Sequence, residues 1–118
     1  MALTTKDAAR LLETRFGIAP DCPFRETDAM VFRHPSSRRW FALLADVGRE
    51  AVGLPGDGTV SLANLKADPD TVRRLTEERG FLPAWHMNKT HWITVVLRGP
   101  IDEDRFLRLA ERSFELTR

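Results

Sequence analysis

Three β-forming stretches follow one another between residues 29 and 65 with no helical repeat between them, and this constrains the fold more than any other feature. Ala29–His34 and Arg39–Ala45 flank Pro35-Ser36-Ser37, whose residues suit a tight turn. Gly53–Gly58 is broken by glycine and proline and precedes a third stretch, Val60–Leu65. Parallel strands need a crossover of a dozen or more residues, so strands joined this closely pair antiparallel. A fourth, Trp92–Leu97, is nearly continuous in β-formers and is expected to be central, covered on one face by helices. Gly48–Leu54 fits a strand or a loop equally well.

Three helices complete the pattern. Thr5–Phe16 places Ala9, Leu12 and Phe16 on one face, with Gly17 positioned to end it. Asp68-Pro69-Asp70 opens a second, an acidic cap followed by proline at the first helical position, which Gly80 is expected to close. Asp102 opens a third, with Ile101 and Phe106 spaced for a hydrophobic staple. Its inward stripe is either Phe106, Leu109, Ala110 and Ser113, or Leu107, Ala110 and Phe114. The order α-β-β-β-α-β-α predicts an α+β fold, an antiparallel sheet with helices packed on one side. The length of 118 residues suits one domain over 1–118.

Hydrophobic residues make up 42% and charged residues 30%, so the chain can fill a core and needs no metal or disulfide to fold. Cys22 stands alone, which excludes an internal disulfide and points to a reducing compartment. Met1–Asp7 lacks the apolar core of a secretory signal, and the longest apolar run, Trp40–Ala45, is too short to span a bilayer. A cytoplasmic monomer without membrane contact is expected.

The net charge of +1 is unevenly spread. Residues 29–45 hold Arg33, Arg38 and Arg39 and no acid, and residues 79–101 hold Arg79, Lys89 and Arg98 and no acid. The segments 1–28, 46–78 and 102–118 are each net negative. If the two acid-free stretches meet in space, they form a positive patch able to face phosphates.

Enzyme signatures are missing: the sequence has no G-x-S-x-G, Walker loop, dinucleotide glycine motif or H-E-x-x-H. His86 and His91 are five apart in an acid-free window, which leaves a zinc set incomplete. Cys22, between Asp21 and Pro23, has no base nearby in sequence to activate it. No catalysis, no metal and no cofactor are expected. Trp40, Trp85 and Trp92 suit core or half-buried packing, and would be stacking platforms only where exposed. Asn88 is placed to cap a short turn ahead of the fourth strand, with His86 or His91 tying the turn down through ring nitrogens.

The run Asn64-Leu65-Lys66-Ala67-Asp68-Pro69, then His86-Met87-Asn88-Lys89-Thr90-His91-Trp92 and Thr94-Val95, resembles the MmcQ/YjbR-like family of small bacterial proteins. Pro23-Phe24 and the Ala29–Leu44 hairpin with Phe41-Ala42-Leu43 are also similar, so the likeness covers nearly the whole chain. The resemblance implies a fold like that of the frataxin homologue CyaY, in agreement with the element order, and DNA binding, the activity usually ascribed to the family. It also suggests iron binding of the frataxin kind, which needs an acidic ridge. Here the first helix sets Asp7 and Glu13 against Lys6, Arg10 and Arg15, so no ridge exists.

The functional expectation is weak, largely sequence-independent DNA binding by a basic face. Arg33, Arg38, Arg39, Lys89 and Arg98, with Lys66, would contact phosphates, and Asn88 or His91 would add hydrogen bonds. The alternative is a protein-interaction or regulatory module without catalysis. A small-molecule pocket walled by Trp85, His86 and His91 comes third.

Overall fold

The computed structural model describes residues 3–118; Met1 and Ala2, which begin both the predicted domain and the stretch read for a leader, lie outside the described residues. The elements are α1 (Thr5–Phe16), β1 (Met30–Arg33), β2 (Trp40–Gly48), β3 (Thr59–Lys66), α2 (Pro69–Thr76), β4 (Phe81–Pro83), β5 (Trp92–Val96) and α3 (Glu103–Leu116). The five strands form one antiparallel sheet in the order β1-β2-β3-β5-β4. All three helices pack on one face of it. The fold is the α+β layer that the sequence order implies.

Local chemistry sets the element ends. Thr4 and Asp7 form a capping box at the start of α1: Thr4 Oγ1 accepts from the Asp7 amide and Asp7 Oδ2 from the Thr4 amide, each at 3.0 Å. That backbone hydrogen bond from Thr4 is the main reason the Asp7 carboxyl lies below its ordinary pKa. Gly17 ends the helix at φ 68°. Asp102 caps α3 by accepting from the Arg105 amide at 2.8 Å, and Ile101 and Phe106 are both buried in the core as a staple requires.

Two details differ from the sequence reading, and a third that it left open is settled. Helix α2 stops at Thr76, and Gly80 serves the following turn instead. At φ 96°, a Cβ on residue 80 would come within 2.8 Å of the Pro100 ring, so the position admits only glycine. The turn leads into β4, a three-residue strand that the sequence pattern had not separated from loop. As an edge strand, β4 tolerates its terminal Pro83 without losing a ladder bond. Residues 48–54 are resolved as the end of β2 and a 3-10 turn over Arg49–Val52.

Neighbouring strands put Phe32, Ala42, Leu65 and Ile93 in one row, and Met30, Leu44, Ala63, Val95 and Phe81 in the next, facing the helices. Ala8 and Leu12 of α1, Val72 and Leu75 of α2, and Phe106 and Ala110 of α3 close over them. The stripe of α3 is therefore the first of the two alternatives. Burying a ring such as Phe106 contributes about 1.5–3 kcal/mol.

Alternation breaks at one place. Phe32 pairs with Ala42 but Arg33 pairs with Trp40, so Phe41 is an extra residue in β2, a β-bulge. Two successive residues, Phe41 and Ala42, therefore face the helices. The Phe41 ring packs edge-on against Phe16 and Phe114, at 5.1 and 5.0 Å between centroids. Its carbonyl, freed from the ladder, accepts from Ser113 Oγ at 2.6 Å, and the same Oγ accepts from the Lys66 amide at 2.8 Å. One buried serine of α3 thus fixes the ends of two strands.

Candidate functional site

Among the described residues no α-helix packs on the sheet's second face, which is met instead by the 3-10 turn through Val52 and by loops. Its rows place Val31, Leu43, Asn64, Thr94 and Leu82 side by side, next to Ala45, Leu62 and Val96. Asn64 and Thr94 are fully buried polar residues at the centre of this face. Thr94 Oγ1 donates to Asn64 Oδ1 at 2.5 Å and accepts from the Trp85 amide at 2.8 Å. Asn64 Nδ2 donates to the Trp85 carbonyl at 2.7 Å. The closed triangle satisfies its central polar groups and fixes the backbone of Trp85 above the sheet.

From Trp85 the chain makes the turn that the sequence singled out. Asn88 Oδ1 accepts from the amides of Thr90 and His91 at 2.9 and 3.0 Å, and the Asn88 carbonyl accepts from Trp92 at 3.1 Å. Asn88 is the expected cap. The imidazoles do not tie the turn down: among the described residues, neither His86 nor His91 bonds a protein group through its ring. Lys89 does that work, its Nζ donating to the Ala84 carbonyl at 3.0 Å. His86 instead stacks on Trp85, with centroids 4.2 Å apart and planes 24° from parallel. It does so at φ 57°, a left-handed conformation uncommon for any side chain but glycine.

Two adjoining depressions result. A groove of 620 Å³ lies between residues 23–29 and 85–87, walled by Phe24, Trp40, Leu43, Trp85, His86 and Met87. Phe24 is 42% exposed and meets Trp40 edge-on at 6.2 Å. A smaller cleft of 310 Å³ shares Trp40 and Met87 with the groove and adds Arg39, Lys66 and Trp92, with Leu116 and Thr117 at its end. Trp40, Trp85 and Trp92 are all half-buried.

The eight predicted site residues separate into three groups. Arg39 and Lys66 meet across the cleft, and Asn88, Lys89 and His91 lie on the turn that enters β5 beside it. The His91 carbonyl, which accepts from the Ala67 amide at 2.9 Å, joins that turn to the end of β3. Arg33 and Arg38 belong to the same hairpin but share Asp21, at 2.8 and 3.1 Å, and Arg33 also lies 5.4 Å over the Trp40 ring. Arg98 does not join them. Lys66 pairs with Trp92 and Leu62 with Val96, so Arg98 lies beyond the other end of β5, with Arg49 and Arg79, about 20 Å along the strand direction. The two acid-free stretches therefore do not make one face, because one of them runs the length of a strand.

At the hairpin end, acids take up part of the charge. Asp68 accepts a bidentate pair of bonds from Arg112 at 2.9 Å each, and this holds its carboxyl below the usual range. Glu115 pairs with Arg118. Among the described residues, Arg39, Lys66 and Lys89 have no carboxylate within salt-bridge distance. Beneath them His34 is buried against Phe41 and Phe114. Thr117 Oγ1 donates to the Ser113 carbonyl and so accepts from His34 Nε2, both at 2.8 Å. Burial pushes the His34 pKa down.

Phe24 and Met87 were not among the predicted site residues. Pro23-Phe24 contributed to the family likeness, but nothing in its spacing places it opposite a turn sixty residues away.

A family model described as YjbR matches residues 14–116. The chain belongs to the YjbR family. The Bacillus subtilis family relative YyaQ, described as uncharacterized, is 35% identical over 98% of this chain and 99% of its own length. A Pseudomonas syringae protein of known crystal structure is 38% identical, covers 98% of this YjbR chain and 100% of its own, and superimposes with a TM-score of 0.95. A Deinococcus radiodurans protein, 25% identical, covers 96% of this chain and 77% of its own with a TM-score of 0.72. Among the described residues, no helix is long and apolar enough to cross a membrane.

Proposed function

We propose that this YjbR chain is a cytoplasmic, monomeric, non-catalytic protein that binds nucleic acid weakly and with little sequence preference. The contact surface is the hairpin end of the sheet. One observation carries the reading: Arg39 and Lys66, free of carboxylate partners among the described residues, line a shallow cleft with the half-buried Trp40 and Trp92, and Lys89 lies on the turn beside it. Unpaired cations at a concave surface attract phosphate oxygens, and they carry no information about base sequence. Asn88 and His91 stand beside them with an amide group and a ring able to donate further bonds.

The test is fluorescence anisotropy with labelled DNA across a salt series. About three phosphate contacts give a log–log slope near −2.7, so a fourfold rise in salt should weaken binding by roughly 40-fold. Arg39→Glu with Lys66→Glu should remove most of the affinity, whereas Arg79→Glu with Arg98→Glu, at the far end of the sheet, should change it by about twofold or less. Equal losses from both pairs would mean that net charge alone attracts DNA. Absence of binding at low salt would sink the proposal and leave the alternative, a module that docks another protein.

A further inference from the structure

We propose that the groove beside the cleft receives unstacked bases, so that the ligand is a single-stranded nucleic acid rather than a duplex. This rests on the nucleic-acid reading above and adds strandedness to it. Three features of the groove bear on this. Its size, 620 Å³, lies within the range of ligand sites, as do depressions of 640 and 670 Å³ elsewhere on the surface, so the volume permits a ligand and the walls must select it. Its walls are aromatic: His86 lies flat on Trp85 with its own outer side exposed, and Phe24 is the one large apolar side chain exposed among the described residues. A base laid on His86 would continue a stack already begun at 4.2 Å.

The third feature is how the stack is held. The Asn64–Thr94 triangle puts polar groups at the centre of a sheet face that is otherwise apolar, and both of its outward bonds go to the backbone of Trp85. His86, the next residue, is left-handed with its ring stacked on Trp85, and among the described residues that ring bonds no protein group. A loop needing only to be closed is already served by Asn88 and Lys89. The additional order fixes an aromatic surface in advance of a ligand, which lowers the ordering cost of binding.

Charge selects the occupant. Arg25 and Glu26 both line the groove and offset one another, so its wall offers a phosphate no net attraction. On the other side, past Trp40 and Met87, the groove passes into the Arg39–Lys66 cleft. A chain with its bases against Phe24 and His86 and its phosphates toward Arg39 and Lys66 matches both halves. A duplex presents phosphates to the cleft but keeps its base faces stacked and out of reach.

The experiment compares a labelled oligothymidylate of about 15 nucleotides, its duplex with oligoadenylate, and an abasic oligonucleotide of the same length. The single strand is expected to bind at least roughly tenfold more tightly than either, since each stacked base is worth about a tenfold change or more. Phe24→Ala, at an exposed position outside both cores, and His86→Gly, which suits φ 57°, should each narrow the strand-to-duplex ratio to about threefold with an unchanged melting temperature. Equal affinity for strand, duplex and abasic chain would overturn the inference and leave phosphate binding standing. Failure of all three to bind would remove the function on which it rests, and so would binding of free nucleotides or a peptide alone.

Discussion

The two faces of the sheet are built differently. Under the helices, Phe32, Leu44, Leu65, Ile93 and Val95 meet Leu12, Phe106 and Ala110 in an interior that is apolar except where Ser113, His34 and Thr117 close its end. On the other face, Val31, Leu43 and Leu62 surround the polar Asn64 and Thr94, and the cover is loops with half-buried aromatics. The first arrangement gives stability and tolerates little change in volume. The second gives less burial but holds particular side chains at the surface. Stability and recognition are therefore segregated to opposite sides of one layer, and substitutions should separate them.

The largest effect is expected on the helix side. Phe106→Ala should cost about 3–5 kcal/mol in denaturant unfolding, because a fully buried ring leaves a cavity between α3 and the sheet. A loss below about 1 kcal/mol would mean that this interior is not the main source of stability. On the other face, Asn64→Ala should cost about 1–3 kcal/mol by stranding the Trp85 carbonyl and the Thr94 hydroxyl. Asn64→Leu with Thr94→Val still strands the Trp85 amide and carbonyl, so it should recover only the part of the loss that came from the Thr94 hydroxyl, while DNA affinity stays low. If binding returned together with stability, the triangle would be scaffold only and the contrast between the faces would fail.

Asn88→Ala should cost about 1 kcal/mol, the usual value of a lost cap, seen as a lower melting temperature. A smaller and pH-confined effect belongs to His34. Its folded pKa lies below the ordinary 6.5, so under acid conditions the unfolded chain binds more protons than the folded one. Stability should thus be complete above about pH 6.5, decline as pH falls through the interval down to the folded value, and level off below it. Urea midpoints between about pH 7.5 and pH 5 should show this decline in the parent chain and less of it in His34→Phe. A flat profile in the parent would show that the ring charges without penalty. Cys22→Ser should change neither melting nor DNA affinity, since the thiol is exposed and outside both the groove and the cleft.

Much of the scaffold was legible because local chemistry writes it. The bounds of α1, the turn at Pro35–Ser37, the cap at Asp102 and the span of β5 follow from spacing and side-chain type. Strand β4 escaped because three residues ending in proline carry no period. The Phe41 bulge escaped because the hydroxyl bonded to it, that of Ser113, stands 72 positions further along the chain. Site residues were harder for the same reason. Sequence windows grouped Arg98 with Lys89, but an extended strand carries side chains apart by about 3.3 Å per residue. The opposition of Phe24 to His86 depends on two loops that only the sheet brings together.

Ser113 also bears on how the chain is made. It lies on α3, which is synthesised after both strands, yet its hydroxyl holds the Phe41 carbonyl and the Lys66 amide, where β2 begins and β3 ends. Until α3 arrives, the hydroxyl bridge between that pair is missing, and the bulge in β2 loses one of the bonds that fix its register. A nascent chain released before Glu103 would thus carry an unsettled register at the very end where Arg39 and Lys66 must meet. Pulse-labelled hydrogen exchange during refolding should find the Lys66 amide protected no earlier than the amides of α3.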